Sequence, residues 1–126
     1  MQATIQRILS LSPEVRYVAI YYQGILASAS RPDLTSPSSS ESDKYEELLV
    51  NPTILKLLTQ RGNIDCGGLE YVIVRYGSFF EFVASLKDGH VSVGLEPSTN
   101  PLTLAPHITA AVADLYPEAV RADEIR

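Results

Sequence analysis

Residues 15–28 decide the fold, and their sequence is VRYVAIYYQGILAS. The first half is dense in β-branched and aromatic side chains, so we predict a strand over residues 16–22. Gln23-Gly24 follows and predicts a tight turn, because glycine adopts the positive φ that short turns often need. Residues 25–30 are then the returning strand, and the whole stretch predicts an antiparallel hairpin.

A second group of strands lies beyond the middle of the chain. Residues 69–76 alternate in the manner of a strand, and Gly77-Ser78 predicts a turn into a second strand over residues 79–86. Asp88-Gly89 is a strong signal for a two-residue hairpin, with residues 90–95 as the returning strand. Because short hairpins join the strands within each group, we expect a single antiparallel sheet.

Helical regions lie at both ends of the strand pattern. Ile5 and Ile8 stand at helical spacing and predict a short first helix that ends near residues 12–13, where a proline follows a serine. The last helix is predicted over residues 103–115. Asn100-Pro101 precedes it, and asparagine followed by proline is typical of a capped helix start.

The second helix is predicted over residues 43–61. Ser42 is its candidate N-cap, and Gly62 is the candidate terminator. Asn51-Pro52 interrupts the pattern with another signature of a helix start. We therefore expect a kink at this point or two consecutive short helices.

These elements give the order α-β-β-α-β-β-β-α, which predicts an α+β fold: a single five-stranded antiparallel sheet flanked by three helices. The chain has 126 residues, which suits a single domain over residues 1–126. Within it, residues 31–42 are rich in serine and proline and predict a mobile loop. The tail over residues 117–126 is expected to be loosely held.

Composition narrows the classes of function. A net charge of −5 and a pI near 4.9 argue against nucleic-acid and membrane partners, which need a positive field. Cys66 is the single cysteine, so no intramolecular disulfide forms and a reducing compartment is expected. No apolar run of signal-peptide length stands near the start, and we expect a cytoplasmic protein.

The order and landmarks of the elements resemble the roadblock/LC7 family, whose fold is profilin-like. Three features carry the resemblance: the hairpin over residues 15–28, the long helix followed by Gly67-Gly68 before the third strand, and the closing hairpin LKDGHVSV over residues 86–93. The resemblance spans roughly residues 4–115. Pro52 departs from it, because the family's second helix is usually continuous and rich in alanine.

The resemblance implies a homodimer in which the third strand and the second helix meet their two-fold copies. An apolar edge strand invites aggregation unless it is paired, which agrees with such a contact. The candidate interface residues on these two elements are Leu48, Ile54, Leu55, Leu58, Leu69, Tyr71, Ile73 and Arg75.

Candidate catalytic residues are few, and we predict no catalytic, cofactor or metal site. His90 beside the tight turn is interpreted as solvated, and His107 as structural or on the surface. Glu46 and Glu47 are interpreted as a solvated first helical turn. The glycines over residues 62–68 are interpreted as a loop that needs positive φ, in preference to an anion-binding loop.

The leading hypothesis is a non-enzymatic, homodimeric scaffold or regulatory protein. The resemblance implies binding to a small GTPase or to a motor or complex component. The alternative is a small-molecule sensor with a ligand site between sheet and helix, lined by Tyr17, Tyr21, Phe80 and Phe82. A third hypothesis is a hydrolase or transferase that uses Cys66 as its nucleophile.

Overall fold

A computed structural model describes residues 1–34 and 39–115 of the chain. The helices and strands follow in the predicted order. They are α1 (Gln2–Leu9), β1 (Val15–Tyr22), β2 (Ile25–Ser30), α2 (Ser40–Tyr45), a π-helical turn (Glu46–Val50), α3 (Asn51–Asp65), β3 (Val72–Arg75), β4 (Phe80–Leu86), β5 (Gly89–Leu95) and α4 (Pro101–Ala111). We call residues 40–65, from α2 to α3, the central helix. Residues 35–38 of the predicted loop and the predicted tail 117–126 lie outside the described residues.

The five strands form one antiparallel sheet in the order β2-β1-β5-β4-β3. Counting the central helix as one element, this confirms the predicted fold class. β2 and β3 are the two edges, while β1, β5 and β4 are covered on both sides by neighbouring strands. The predicted third strand is shorter than expected, because only residues 72–75 pair with β4.

One face of the sheet carries the hydrophobic core. α1 packs on β1 and β2, and α4 packs on β4 and on α1. The core contains fifteen buried residues, which are Ile5, Ile8, Val15, Val18, Ile20, Phe82, Ala84, Leu86, Val91, Val93, Leu95, Ala105, Ile108, Ala111 and Val112. The alternation predicted for β4 and β5 therefore places the expected apolar residues in the core.

The central helix covers part of the other face of the sheet. Its N-cap is Ser39, whose side-chain oxygen accepts a hydrogen bond from the Ser42 amide. The helix thus begins inside the predicted loop, and the prediction of Ser42 as the cap is wrong. The reason is that serine at position 39 offers the same capping oxygen one turn earlier.

The break predicted at Asn51-Pro52 takes the form of a π-helical turn. Asn51 has helical dihedrals and its amide donates to the carbonyl of Glu46, so it is not an extended cap. Pro52 lacks the N–H that an α-helix would direct to the carbonyl of Leu48, and its ring crowds that carbonyl. The wider π turn directly before it accommodates the proline without ending the helix.

The central helix ends at Asp65, three residues beyond the predicted terminator. Gly62 is helical, and a Cβ there would lie 3.1 Å from the backbone carbon of Gly68. Its carbonyl accepts hydrogen bonds from the amides of Cys66 and Gly68. Gly67 and Gly68 have φ of +80° and +89°, which confirms the interpretation as a loop that needs positive φ for these two glycines, whereas residues 62–65 belong to the helix.

α4 begins at Pro101, two residues before the predicted start at residue 103, and the Asn100 side chain accepts a hydrogen bond from the amide of Leu102 as the Asn100-Pro101 signature predicts. It ends at Ala111, before the predicted end at residue 115. Leu115 still packs against the core, so the predicted apolar side of this helix continues past its last turn. Within the described residues, no helix is long and apolar enough to cross a membrane.

Candidate functional site

A cavity of about 520 Å³ lies between the central helix and the sheet. Its walls come from β1, the first turns of the central helix, the β3–β4 turn, β4 and β5. We call it the helix–sheet cavity. Its volume falls within the usual range for small-molecule sites, which is roughly 300–1,000 Å³.

The strands present polar residues to the central helix. Glu81 on β4 and His90 and Ser92 on β5 alternate with core residues and therefore face away from the core. They are 3%, 2% and 0% exposed. The burial patterns of β4 and β5 show that both of their faces are covered, so these polar side chains have to find partners inside the protein.

Glu47 of the π turn is fully buried beside this polar face. Its Oε1 accepts hydrogen bonds from Asn51 Nδ2 at 3.0 Å and from His90 Nε2 at 2.8 Å. Among the described residues its Oε2 has no hydrogen-bond partner. The interpretations of His90 as a solvated turn histidine and of Glu47 as part of a solvated first turn are therefore wrong.

Glu81 is the second buried carboxyl group of the cavity. Its Oε1 accepts a hydrogen bond from Ser92 Oγ, whereas its Oε2 finds no donor among the described residues. Burial, followed by the nearby Glu46 carboxyl, raises the pKa of Glu81 to about 9. Glu81 is therefore protonated at neutral pH.

Glu46 lies half-buried at the cavity, next to the aromatic part of its wall. The Tyr76 hydroxyl donates to Glu46 Oε1 at 2.9 Å, and the Tyr76 and Phe79 rings lie 5.3 Å apart. Tyr17 lines the cavity from β1. Burial is the first cause that raises the pKa of both Tyr17 and Tyr76, so both phenols are neutral near pH 7.

The charge of the cavity is negative. Asp43 joins Glu46, Glu47 and Glu81 in its lining, and Arg16 is the basic residue of that lining. The Arg16 guanidinium pairs with Glu96 at 2.8 Å, and this bond holds the pKa of Glu96 below its usual value. Arg16 is thus paired with a carboxylate outside the cavity lining.

Such an arrangement can bind a proton or a cation. A carboxyl group with a raised pKa next to a second carboxylate is a feature of functional sites. Within residues 1–34 and 39–115, no group of three or more histidine, cysteine, aspartate or glutamate side chains is placed to hold a metal ion.

The aromatic lining predicted for a ligand site is only partly brought together. Tyr17 lines the helix–sheet cavity, whereas Tyr21 lines a separate groove beside Pro52. Phe82 belongs to the core on the opposite face, and Phe80 packs against that core. The prediction that these four residues line one site is wrong, because odd and even positions of a strand face opposite sides.

Two other residues singled out in the sequence stand apart from the cavity. Cys66 is exposed, and its thiol donates to Asp65 Oδ1 at 3.3 Å. His107 is exposed on α4, as expected.

The candidate interface residues fall into two groups. Leu48 and Leu58 are 51% and 40% exposed on the central helix, and Arg75 is exposed on β3. The remaining residues contribute to packing within the chain to differing degrees. Leu55 is buried, Tyr71 and Ile73 pack against the core, and Ile54 and Leu69 are half-buried.

α3 also carries apolar residues that share one side of the helix. The α3 apolar stripe consists of Ile54, Leu57, Leu58 and Ile64. The last three residues follow Ile54 by three, four and ten positions, so the four side chains lie on one side of the helix. Leu57 and Ile64 are 61% and 59% exposed. Pro52, Lys56 and Thr59 lie on the opposite side of α3 and line the groove above β5.

The segments that flank β3 bond to the central helix. Tyr76, directly after β3, donates to Glu46, and the amide of Gly68, which precedes β3, donates to the carbonyl of Gly62. β3 is itself an edge strand of the sheet, and the α3 apolar stripe is exposed.

Comparison with solved structures identifies the architecture. The chain is similar to a roadblock/LC7 domain from Streptomyces avermitilis, with a TM-score of 0.70 and 13% identity over 90% of this chain and 92% of that chain. It is also similar to MglC from Myxococcus xanthus, with a TM-score of 0.54 and 9% identity over the same shares of the two chains. No protein-family model and no curated protein matches the sequence. The structural similarity confirms the predicted roadblock/LC7 resemblance at the level of the fold.

Proposed function

Starting from a roadblock/LC7 fold, we propose that this chain is a non-enzymatic, homodimeric scaffold or regulatory protein. The observation that carries the proposal is the exposed α3 apolar stripe on a chain whose β3 is an edge strand. Contiguous apolar surface of this kind marks protein contacts.

A two-fold contact would pair the edge strand and cover the exposed apolar side chains at the same time. An edge strand carries backbone N–H and C=O groups without strand partners, and pairing with an identical strand satisfies them. The same contact removes the exposed leucines of the stripe from water. Closed two-fold dimers are the commonest oligomers, because one self-complementary patch serves both copies.

The second partner is proposed to be a protein, namely a small GTPase or a motor or complex component, as the roadblock/LC7 resemblance implies. The acidic net charge of −5 supports a protein partner over a nucleic acid. Affinity capture with the full chain tests this version. Repeated capture that never recovers a nucleotide-binding protein would argue against the GTPase partner and leave the dimer untouched.

The dimer is tested by Leu57→Asp, with Leu102→Asp as a matched control. Both leucines are 61% exposed, but Leu102 lies on α4, away from the stripe. A dimer buries the Leu57 side chain of each copy, and each buried leucine contributes about 1.5–3 kcal/mol. We expect Leu57→Asp to weaken the dimer by at least roughly 100-fold.

Sedimentation velocity of the three proteins at roughly 50 µM gives the result. Wild type and Leu102→Asp are expected to sediment as dimers and Leu57→Asp as a monomer. A wild-type chain that is monomeric at this concentration would refute the proposed dimer.

A second candidate function is a small-molecule sensor, and the helix–sheet cavity is the observation that favours it. Its size suits a ligand, and it contains two buried carboxyl oxygens without partners among the described residues. A thermal-shift screen with a broad metabolite set tests this function, and the absence of any stabilising compound would count against it.

A further inference from the structure

The helix–sheet cavity has a chemistry that selects one class of ligand. We propose that it binds a small organic cation, a guanidinium or ammonium compound, between the carboxyl groups of Glu46 and Glu81 and the rings of Tyr17, Tyr76 and Phe79. This inference rests on the second candidate function, the sensor, and is independent of the dimer.

Unpartnered acceptors point to the positive charge of the ligand. Glu47 and Glu81 are 0% and 3% exposed, both line the cavity, and each has an Oε2 atom without a partner among the described residues. Buried polar atoms are nearly always hydrogen-bonded, so the Oε2 of Glu47 calls for a donor, and the Oε2 of Glu81 calls for one once the Glu81 proton has left. A guanidinium or ammonium group is a donor only and carries the complementary charge.

The charge of the cavity lining argues against an anionic ligand. Arg16, the basic residue of the lining, is already paired with Glu96, while Glu46 and Asp43 add further carboxyl groups to the wall. An anion would meet these carboxylates at short range. A neutral ligand would leave the buried carboxyl groups without a compensating charge.

The aromatic wall adds selectivity for an organic cation over an inorganic ion. Tyr17, Tyr76 and Phe79 line the same cavity, and the faces of such rings attract cations with apolar surroundings. The volume of about 520 Å³ exceeds the need of a single bare ion.

Binding of the cation is expected to displace a proton. Glu81 holds a proton near the Glu46 carboxyl, and a cation between the two carboxyl groups takes over the role of that proton. The ionisable groups that face Glu81 are Glu46, Glu47 and Asp43 from the central helix, Tyr17 and Arg16 from β1, and Tyr76 after β3. Since a proton and the cation compete, affinity should rise with pH.

The experiment is an isothermal titration of the full chain with butylguanidinium, with butylurea as a neutral control of similar shape. Glu81→Gln and Glu46→Gln remove one charge each and keep the side-chain shape. Glu41→Gln is the control variant, since Glu41 is an exposed acid of α2 outside the cavity lining. Butylguanidinium stays charged at every pH used, because a guanidinium loses its proton only above pH 12.

We expect saturable binding of butylguanidinium, weakened at least roughly tenfold by Glu81→Gln or Glu46→Gln and unchanged by Glu41→Gln. From pH 7 to pH 9 the affinity should rise by up to about tenfold per pH unit. Blocked arginine is titrated in parallel. If it binds tighter than butylguanidinium, the cation is the side chain of a partner; if it binds more weakly, the cation is a free compound.

Several results would overturn the proposal. These are equal binding of butylurea, equal binding by Glu81→Gln in a folded variant, or affinity that does not change with pH. Saturable binding of neutral or anionic metabolites at this cavity would refute the cationic ligand and still support a sensor. No binding of any compound would refute both.

Discussion

Glu81→Gln should make the protein more stable at alkaline pH. Glu81 has a pKa of about 9 in the folded chain, against an ordinary value of 4.5. Folding therefore requires the carboxyl group to take up a proton at any pH between these two values. Glutamine is neutral throughout, keeps an oxygen to accept the Ser92 hydrogen bond, and offers an amide donor to Glu46.

The size of the effect follows from the pKa difference. A group whose carboxyl pKa is raised by folding contributes no penalty below its unfolded pKa, and its penalty grows until pH reaches the folded pKa. At pH 8 the distance from the ordinary value of 4.5 is 3.5 pH units, which corresponds to roughly 5 kcal/mol as a ceiling. Water in the adjoining cavity screens part of this, so we expect a gain of at least about 2 kcal/mol.

Urea unfolding followed by circular dichroism at pH 4.5 and pH 8 measures the gain, at one fixed protein concentration. The difference in free energy of unfolding between Glu81→Gln and wild type should be near zero at pH 4.5 and large at pH 8. Glu41→Gln, an exposed change on α2, should match wild type at both values. A Glu81→Gln variant that is destabilised at pH 8, or stabilised equally at both pH values, would refute the reasoning.

Two further predictions concern the backbone. Gly89→Ala should prevent folding or destabilise the protein by more than about 3 kcal/mol, because a Cβ there would lie 1.7 Å from the carbonyl oxygen of Tyr21. Gly77→Ala is the control and should change thermal stability little, because no atom lies within 4 Å of a Cβ at that position. Equal melting temperatures of the two variants would contradict this prediction. Asn100→Ala should lower the free energy of unfolding by about 1 kcal/mol, because it removes the side-chain acceptor for the Leu102 amide at the start of α4. An unchanged midpoint of urea unfolding would show that this cap does not stabilise the protein.

Local signals were enough to predict the sheet. Gln23-Gly24 has positive φ at both residues, and Asp88 has a φ of +70°, so both turns form where the sequence predicts them. The alternation of Phe82 and Val93 with polar neighbours identified the core face correctly. These features depend on residues that are neighbours along the chain or directly across a hairpin.

The polar side of the cavity could not be predicted in the same way. Glu47 and His90 are 43 positions apart, and each is typical of the surface when considered alone. Their burial depends on where the central helix lies on the sheet. The alternation of Glu81, His90 and Ser92 with core residues gave no signal of this, because the same pattern is typical of a strand with one solvated face.

The π-helical turn fixes the angular relation between the two halves of the central helix. An α-helix rotates by about 100° per residue, so deleting one residue from Glu46–Val50 to restore regular winding would turn α2 by about that angle relative to α3. Asp43, which lines the helix–sheet cavity together with Tyr17 of β1, would then rotate around the helix axis, away from its present position. The extra residue in this turn thus sets the rotation of α2 at which its acidic side chains face the strands across the helix–sheet cavity.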